Sequence, residues 1–566
     1  MSHSEISNSE NLQTGPSQKQ KPKSIANSED PGCDDLLHID GEKLVEQYGT
    51  YGRYQLYNYF VVQMLNFFYS ASLYIMSFVQ LKLNMECTDL DTNTTIPLYH
   101  EGCNMVTEGT NLTDFHDKIC GEYKNTKLKI LNADATTNLL VDYNLECTHY
   151  LFQEGGLTMF SIGAVVTVPL MSYLADRYGR KPVIVWNGLA AFIFNLAAAF
   201  SPNYYIFLVL RFFVGATSDT YLSIANIVTC EYITEKARSW ITVVYNIAWA
   251  LGMLWVGFVT LMTKNWRWIY FIGSMPGIYI FYLWWVLPES PHWMSHHNKT
   301  KGLKTYIKKS NKFNSKKADL NKCQNYEIEE KKHESLMDIL RSKHMIFIIV
   351  ANGILEFVLS IVYYGINFES VDMSDDNFTA FMISSFLEIP GGLLVIPLML
   401  YFGRRIINLT SFVGQGIALI ATCFISGNFL KYKILYSVHP IWGAEQFPTT
   451  VRSLSFSIVN VPQSAGILLA PYYKHVKIDG YEWVPNVGLA VISFLSALLC
   501  CFMDKLMPVD IRSLKNYKST MFSKNEKSKE QVTSMESQST KSTLLSEKST
   551  SEKKSSEQSV SKSDEK

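Results

Sequence analysis

The 566-residue chain has no charge of one sign to spare: Lys+Arg and Asp+Glu both number 51, for a formal net charge of +0. That balance argues neither for nucleic acid nor for an acidic partner, and none is expected. Charge of either sign is also scarce, at 18%, beside 47% hydrophobic and 13% aromatic residues. No Walker loop, no His/Cys set at metal-ligand spacing and no nucleophile elbow is present. ATP hydrolysis, metal binding and catalysis therefore have no foothold, and no cofactor is called for. The first 40 residues hold no apolar core of a leader peptide, which leaves insertion to the first long apolar run.

What is abundant is apolar sequence in long runs, at 57–81, 151–174, 183–200, 204–230, 240–262, 267–288, 345–366, 379–400, 406–426, 430–447, 454–473 and 484–503. A helix needs about 20 such residues to cross a bilayer. The runs predict an all-α membrane protein with twelve transmembrane helices, the lipid bilayer being its first partner. Basic residues fall between alternate runs: Arg177, Arg180 and Lys181; Lys236 and Arg238; the Lys-rich 299–343; Arg404 and Arg405; Arg452. By the positive-inside rule those connections are cytoplasmic, as are both termini.

The expected organisation is a disordered tail at 1–45, a six-helix bundle at 46–288, a central loop at 289–342, a second bundle at 343–505 and a disordered tail at 506–566. Within the first bundle, the polar stretch 82–150 holds Cys87, Cys103, Cys120 and Cys147, with glycosylation sequons at Asn93 and Asn111. Four cysteines beside two sequons fit an extracytoplasmic loop with two disulfides, whose pairing has three possibilities.

An internal repeat divides the chain. Gly179-Arg180 recurs as Gly403-Arg404, and Glu231 with Arg238 recurs as Glu445 with Arg452. The two copies differ in length: Gly179 to Glu231 is 52 positions, Gly403 to Glu445 only 42. Ten helical residues span about 15 Å, half of a hydrocarbon core, so the tenth run (430–447) reads as truncated.

Several motifs resemble known families. Ser172-Tyr-Leu-Ala-Asp-Arg-Tyr-Gly-Arg-Lys-Pro182 resembles the loop signature between spans two and three of the major facilitator superfamily, with Ser172 in place of its first glycine. The long cysteine loop closing on Tyr143-Asn-Leu-Glu-Cys147, Pro288-Glu-Ser-Pro-His-Trp293 after span six, and Glu445-Gln-Phe-Pro-Thr-Thr-Val-Arg452 are together similar to the solute carrier 22 group, the organic cation, anion and carnitine transporters. Leu400 stands where the second loop motif has its aspartate, and Pro508-Val-Asp510 replaces the usual Pro-Glu-Thr. The resemblance implies the major facilitator fold, with substrate bound between two six-helix halves. It also implies alternating-access transport of small organic ions at the plasma membrane. A transport-inactive receptor or scaffold that keeps the fold is the alternative from another class.

Two sets of polar residues follow. Asp176, Gly179, Arg180, Glu231, Arg238, Arg404, Arg405, Glu445 and Arg452 sit at the basic ends of the runs and are expected to gate the conformational change. Asp219, Glu356 and Glu388 lie deep within runs, where a charge is costly and usually functional. Asp219 shares a helical face with Asn226, and an ion pair to Arg211 is the competing role for it. Tyr363 and Tyr364 offer ring faces to a cation. Asn460 and Gln463 offer hydrogen bonds. Aligned on Arg452 and Pro471, Ser464 occupies the position that is aspartate in the family's cation carriers and arginine in its anion and carnitine carriers. The spare acids favour a cation or a zwitterion.

Overall fold

The computed structural model describes residues 36, 39–80, 85–89, 95–97, 126–130, 138–145, 148–234, 237, 241–323, 343–369, 377–422, 452–475 and 484–506. Among them, eight helices, spans one to seven and span twelve below, are long and apolar enough to cross a membrane. The first half supplies span one (Arg53–Val79), two (Gly155–Tyr178), three (Arg180–Ala199), four (Tyr204–Tyr232), five (Ile241–Met262) and six (Trp266–Val286). The second half supplies span seven (Lys343–Glu369), a helix Asn377–Thr422 that carries spans eight and nine, span eleven (Arg452–Leu469) and span twelve (Val484–Leu506). The short tenth run, 430–447, lies outside the described residues, as do Arg238 and Glu445. Residues up to Cys500 form one unit; of residues 501–566, the structure describes only the end of span twelve.

The halves meet along two seams, span two on span eleven and span five on span eight. Tight crossings need residues without side chains. At Gly215 of span four a Cβ would lie 1.9 Å from the Phe160 carbonyl oxygen of span two. Backbone cannot give way as a flexible side chain can. Gly215→Ala is therefore expected to cost about 1–3 kcal/mol and to lower the thermal midpoint in detergent.

Two expectations need correction. Spans eight and nine were expected as separate runs, 379–400 and 406–426, with a turn at Gly403. The backbone instead continues as one 46-residue helix. In the first half, Gly179 breaks the chain with φ +115°. Glu289 then accepts hydrogen bonds from the Arg180 and Lys181 backbone N–H groups at 3.0 and 3.2 Å, which starts a new helix. The sequence 400–405 has only Gly403 to oppose propagation, and a lone glycine costs a helix about 1 kcal/mol.

The second correction concerns the tail 1–45 and the central loop. Leu36 and Ile39 are buried with Leu44, Tyr48, Trp293, Leu303, Tyr306, Ile307 and Cys323 in a small core of their own. A helix at Gly41–Gln47, N-capped by Asp40, packs on Pro291–His296, and the amphipathic helix Thr300–Asn314 completes the layer. The Asp40 N–H donates to the Cys323 carbonyl at 2.9 Å, tying the two chain segments together. Leu36, Ile39 and Leu44 are the apolar residues that a reading by overall polarity passes over.

Burial pushes the Cys323 thiol from its ordinary value of 9.0 up to about 12. A proton held more tightly when folded means this packing is at full strength below about pH 9 and weakens as pH climbs toward 12. At neutral pH, alkylation of Cys323 is expected to run at least about 100-fold slower than that of an unstructured cysteine peptide, read by mass spectrometry.

The all-α body carries one small sheet among the described residues, three antiparallel strands in the order β2-β1-β3: β1 Met85–Asp89, β2 Thr95–Pro97 and β3 Thr126–Ile130. It lies in the cysteine loop. Cys87 is in β1, opposite Ile96 and Leu128. Cys103, Cys120, Cys147, Asn93 and Asn111 lie outside the described residues, and disulfide pairing with them.

Candidate substrate chamber and its gates

The end of the bundle bearing Arg180 and Glu231 is the charged end; the end bearing the sheet is the loop end. At the charged end Arg180 pairs with Glu231 at 2.8 Å, both side chains 12% exposed, and with Asp176 at 3.4 Å. Asp176 is 36% exposed, so solvent screens that second pair and leaves it little weight. Ser290 donates to the other Glu231 oxygen at 2.5 Å, and the Trp293 indole N–H donates to the Asp176 carbonyl at 2.7 Å. Gly179, where a Cβ would meet Glu289 Oε2 at 2.6 Å, lets that carboxylate close on the turn. Burial raises Glu289 above the ordinary 4.5, against the opposing pull of the Ser290, Lys181 and Arg180 N–H groups and the Arg180 charge. The network joins Asp176, Gly179, Arg180 and Glu231 and adds Glu289 and Ser290 to them. Arg404, Arg405 and Arg452 are described in backbone only, within their helices.

At the loop end the halves are closed over each other. Phe78 of span one meets Phe381 of span eight edge-on at 4.8 Å between ring centroids, and Tyr74 packs against Phe368 and Phe381. Thr158 of span two hydrogen-bonds Tyr472 at 2.5 Å, just beyond span eleven.

Between the two ends a buried cluster of polar and aromatic side chains marks the candidate chamber. Asp219 is 8% exposed on span four. Tyr69 of span one donates to one of its oxygens, and Ser464 of span eleven to the other at 3.4 Å. One turn further along, Asn460 Nδ2 donates to Ser223 at 3.0 Å. Across the chamber Glu388, also 8% exposed, accepts from the Tyr363 hydroxyl at 2.5 Å. The Trp249 indole N–H of span five donates to that same hydroxyl at 3.0 Å. The Trp249 ring lies 5.6 Å from Tyr69, 6.0 Å from Tyr245, 6.2 Å from Tyr74 and 6.4 Å from Tyr364. Ring contacts therefore join the Asp219 group to the Glu388 group. Carboxylates set among aromatic faces are the chemistry that holds an ammonium ion.

The expected residues come together unequally. Asp219, Asn460 and Ser464 form one group, Tyr363, Tyr364 and Glu388 the other. Glu356 is buried on span seven, two turns from Tyr363 on the same face. Asn226 and Gln463 are half-buried on spans four and eleven. Arg211 does not pair with Asp219. Eight residues separate them, about 12 Å of helix rise. Its guanidinium donates instead to the Gly156 and Ser72 carbonyls at 3.3 and 3.1 Å and to Tyr270 at 2.9 Å, and lies over the Phe160 ring. Tyr69, Tyr74, Tyr245 and Trp249 were not singled out from the sequence. Apolar runs this rich in tyrosine and tryptophan give no spacing that separates chamber rings from packing rings.

The sugar (and other) transporter family model matches residues 125–433, more than half of the chain. The chain belongs to the major facilitator superfamily. This facilitator is 51% identical over 504 residues to a putative transporter from Caenorhabditis elegans, covering 86% of each chain. An organic cation transporter protein from Drosophila melanogaster is 26% identical over 431 residues, 71% of this facilitator and 77% of that protein. Rat solute carrier family 22 member 2 is 26% identical over 404 residues, 67% and 72%. These names agree with the resemblance carried by the motifs. Among solved structures, the partially occluded inward-open xylose transporter XylE from E. coli aligns with a TM-score of 0.52 at 15% identity, covering 80% of the facilitator and all of that chain. At that identity the likeness concerns the fold alone; the family model and the relatives are those of transporters.

Proposed function

We propose that the protein carries small organic cations, or zwitterions presenting an ammonium group, across the plasma membrane by alternating access, with the charged end and both termini cytoplasmic. The observation that carries this reading is the hydrogen bond from Ser464 to Asp219. In the cation carriers that the motifs resemble, span eleven brings an aspartate at this place; here the serine is neutral, and span four delivers a carboxylate beside it. The charge has changed helices without leaving the chamber. Glu388, Tyr363 and the rings around Trp249 supply the opposite wall. Arg211, the buried base nearby among the described residues, is held by carbonyls and Tyr270, away from Asp219.

The test is uptake of labelled tetraethylammonium, carnitine and an aromatic carboxylate by cells expressing the chain, against untransfected cells. Saturable tetraethylammonium or carnitine uptake is expected. Uptake of the carboxylate alone would reverse the charge assignment, and uptake of none would favour a transport-inactive receptor or scaffold.

A further inference from the structure

Asp219 stands at the inner end of a buried polar file along span one. On one side of that helix lie Gln55, Asn58, Gln63, Asn66 and Tyr69, each 3% exposed or less. They run from the charged end to the Asp219 carboxylate over 14 residues, about 21 Å of helix. At the charged end Gln55 bonds Asn314 and Ser310 of the amphipathic layer. Midway, Asn66 donates to Gln63 Oε1 at 2.7 Å, and Gln63 donates to Thr229 at 3.3 Å. At the inner end Tyr69 donates to Asp219. Asn66 Oδ1 is buried with no hydrogen-bond partner among the described residues, and Asn58, buried alike, has the Tyr54 hydroxyl as its partner. An orphaned amide oxygen in a buried file is the setting in which internal water is retained.

We propose that Asp219 is a proton site, served by this file from the charged end, and that its proton and the substrate cation expel one another. This rests on the reading that a cation occupies the chamber. A carboxylate at Asp219 adds a negative charge to the space that a cation enters. Protonation removes that charge, so each ligand weakens the other's binding by the same factor. The proton comes from water at the charged end and returns to water when the cation binds.

Among the described residues no fixed charge contacts Asp219; Arg211, on the same helix, lies about 12 Å of helix rise away and is held by carbonyls and Tyr270. Span one presents Tyr69, span five Tyr245 and span four itself Tyr221. Span eleven has no ionisable residue after Arg452, and span three has only Arg180 and Lys181, at the charged end. Span two has Asp176 and Arg177 at the charged end, with Glu154 just before it at the loop end. Among the described residues the other buried acids are Glu154 at the loop end, Glu356 on span seven and Glu388 on span eight, Glu388 being engaged by Tyr363.

Purified full-length protein in weakly buffered detergent is mixed with tetraethylammonium, which has no proton of its own, and a pH indicator reports release. Release of up to about one proton per bound cation is expected. In Asp219→Asn, cation binding persists more weakly and release is lost. Binding without release in the unsubstituted protein would overturn the proposal while leaving cation recognition standing.

If tetraethylammonium fails to bind, the cation reading falls, and infrared spectroscopy still decides the proton site. A protonated-carboxyl band should titrate with pH, vanish in Asp219→Asn and shift in Asp219→Glu. A band that survives Asp219→Asn, or none that titrates, would contradict the assignment. Asp219→Glu keeps the test open should the asparagine variant fail to fold.

Discussion

Replacing Glu388 by Gln is expected to lower the initial rate of tetraethylammonium uptake at sub-saturating concentration by about 10- to 100-fold, with surface expression unchanged. The side chain keeps its shape and can still accept from Tyr363, so the 2.5 Å contact need not be lost. What disappears is the negative charge facing the substrate. A hydrogen bond to a charged group is worth about 1.5–3 kcal/mol net, and each 1.4 kcal/mol is a factor of ten. The loss should appear mainly in KM, because the charge meets the cation before any helix moves. Tyr363→Phe removes the hydroxyl that orients Glu388 and receives the Trp249 N–H, and a smaller loss of the same kind is expected. Undiminished uptake in Glu388→Gln would move the cation site elsewhere in the chamber.

The second large effect is expected at the charged end, from Glu289→Gln. This residue touches nothing in the chamber, so KM should hold while the maximal rate falls by about tenfold or more. The ionised carboxylate receives two backbone N–H groups at the start of span three and lies against the turn at Gly179. Those bonds and the neighbouring Arg180–Glu231 pair are the contacts that a change of state must remake. A bias of only a few kcal/mol decides between two nearly balanced conformations.

Stability should move the other way. Glu289 is raised above the ordinary carboxylate value by burial, so its ionised form is less favourable folded than unfolded. That penalty is absent at low pH and sets in as pH rises past 4.5, the ordinary value. Removing the ionisable group is therefore expected to leave the thermal midpoint at neutral pH unchanged or slightly higher. A slower transporter that is not a less stable one distinguishes a gate from a structural staple. A change in KM alone, or a collapse of the thermal midpoint, would count against the gating role.

How much could be read without coordinates follows from what leaves a mark in a sequence. Acids inside apolar runs leave one, because a bilayer makes them costly; Asp219, Glu356 and Glu388 were found that way. Gly179 and Arg180 also leave one, through the turn between two runs and its partial repeat at Gly403-Arg404. Repetition misled at that second site, since a glycine without a carboxylate to start the next helix does not end the first. Trp249 and Tyr69 leave none: each looks like any other aromatic in a hydrophobic helix until Tyr363 and Asp219 are seen beside them. The Asp219–Arg211 alternative failed on distance along a single helix, which counting residues already contains. Leu36 and Ile39 were hidden by the polarity of their neighbours.

Counterflow tests the account's central claim most directly. Proteoliposomes holding the full chain, preloaded with unlabelled tetraethylammonium and diluted into labelled tetraethylammonium at zero membrane potential, report whether one chamber opens to either side in turn. The account predicts a transient accumulation of label above its equilibrium level, which Glu388→Gln lowers when tetraethylammonium is sub-saturating. Label that rises no faster than in protein-free liposomes would contradict it, as would the same overshoot in the variant.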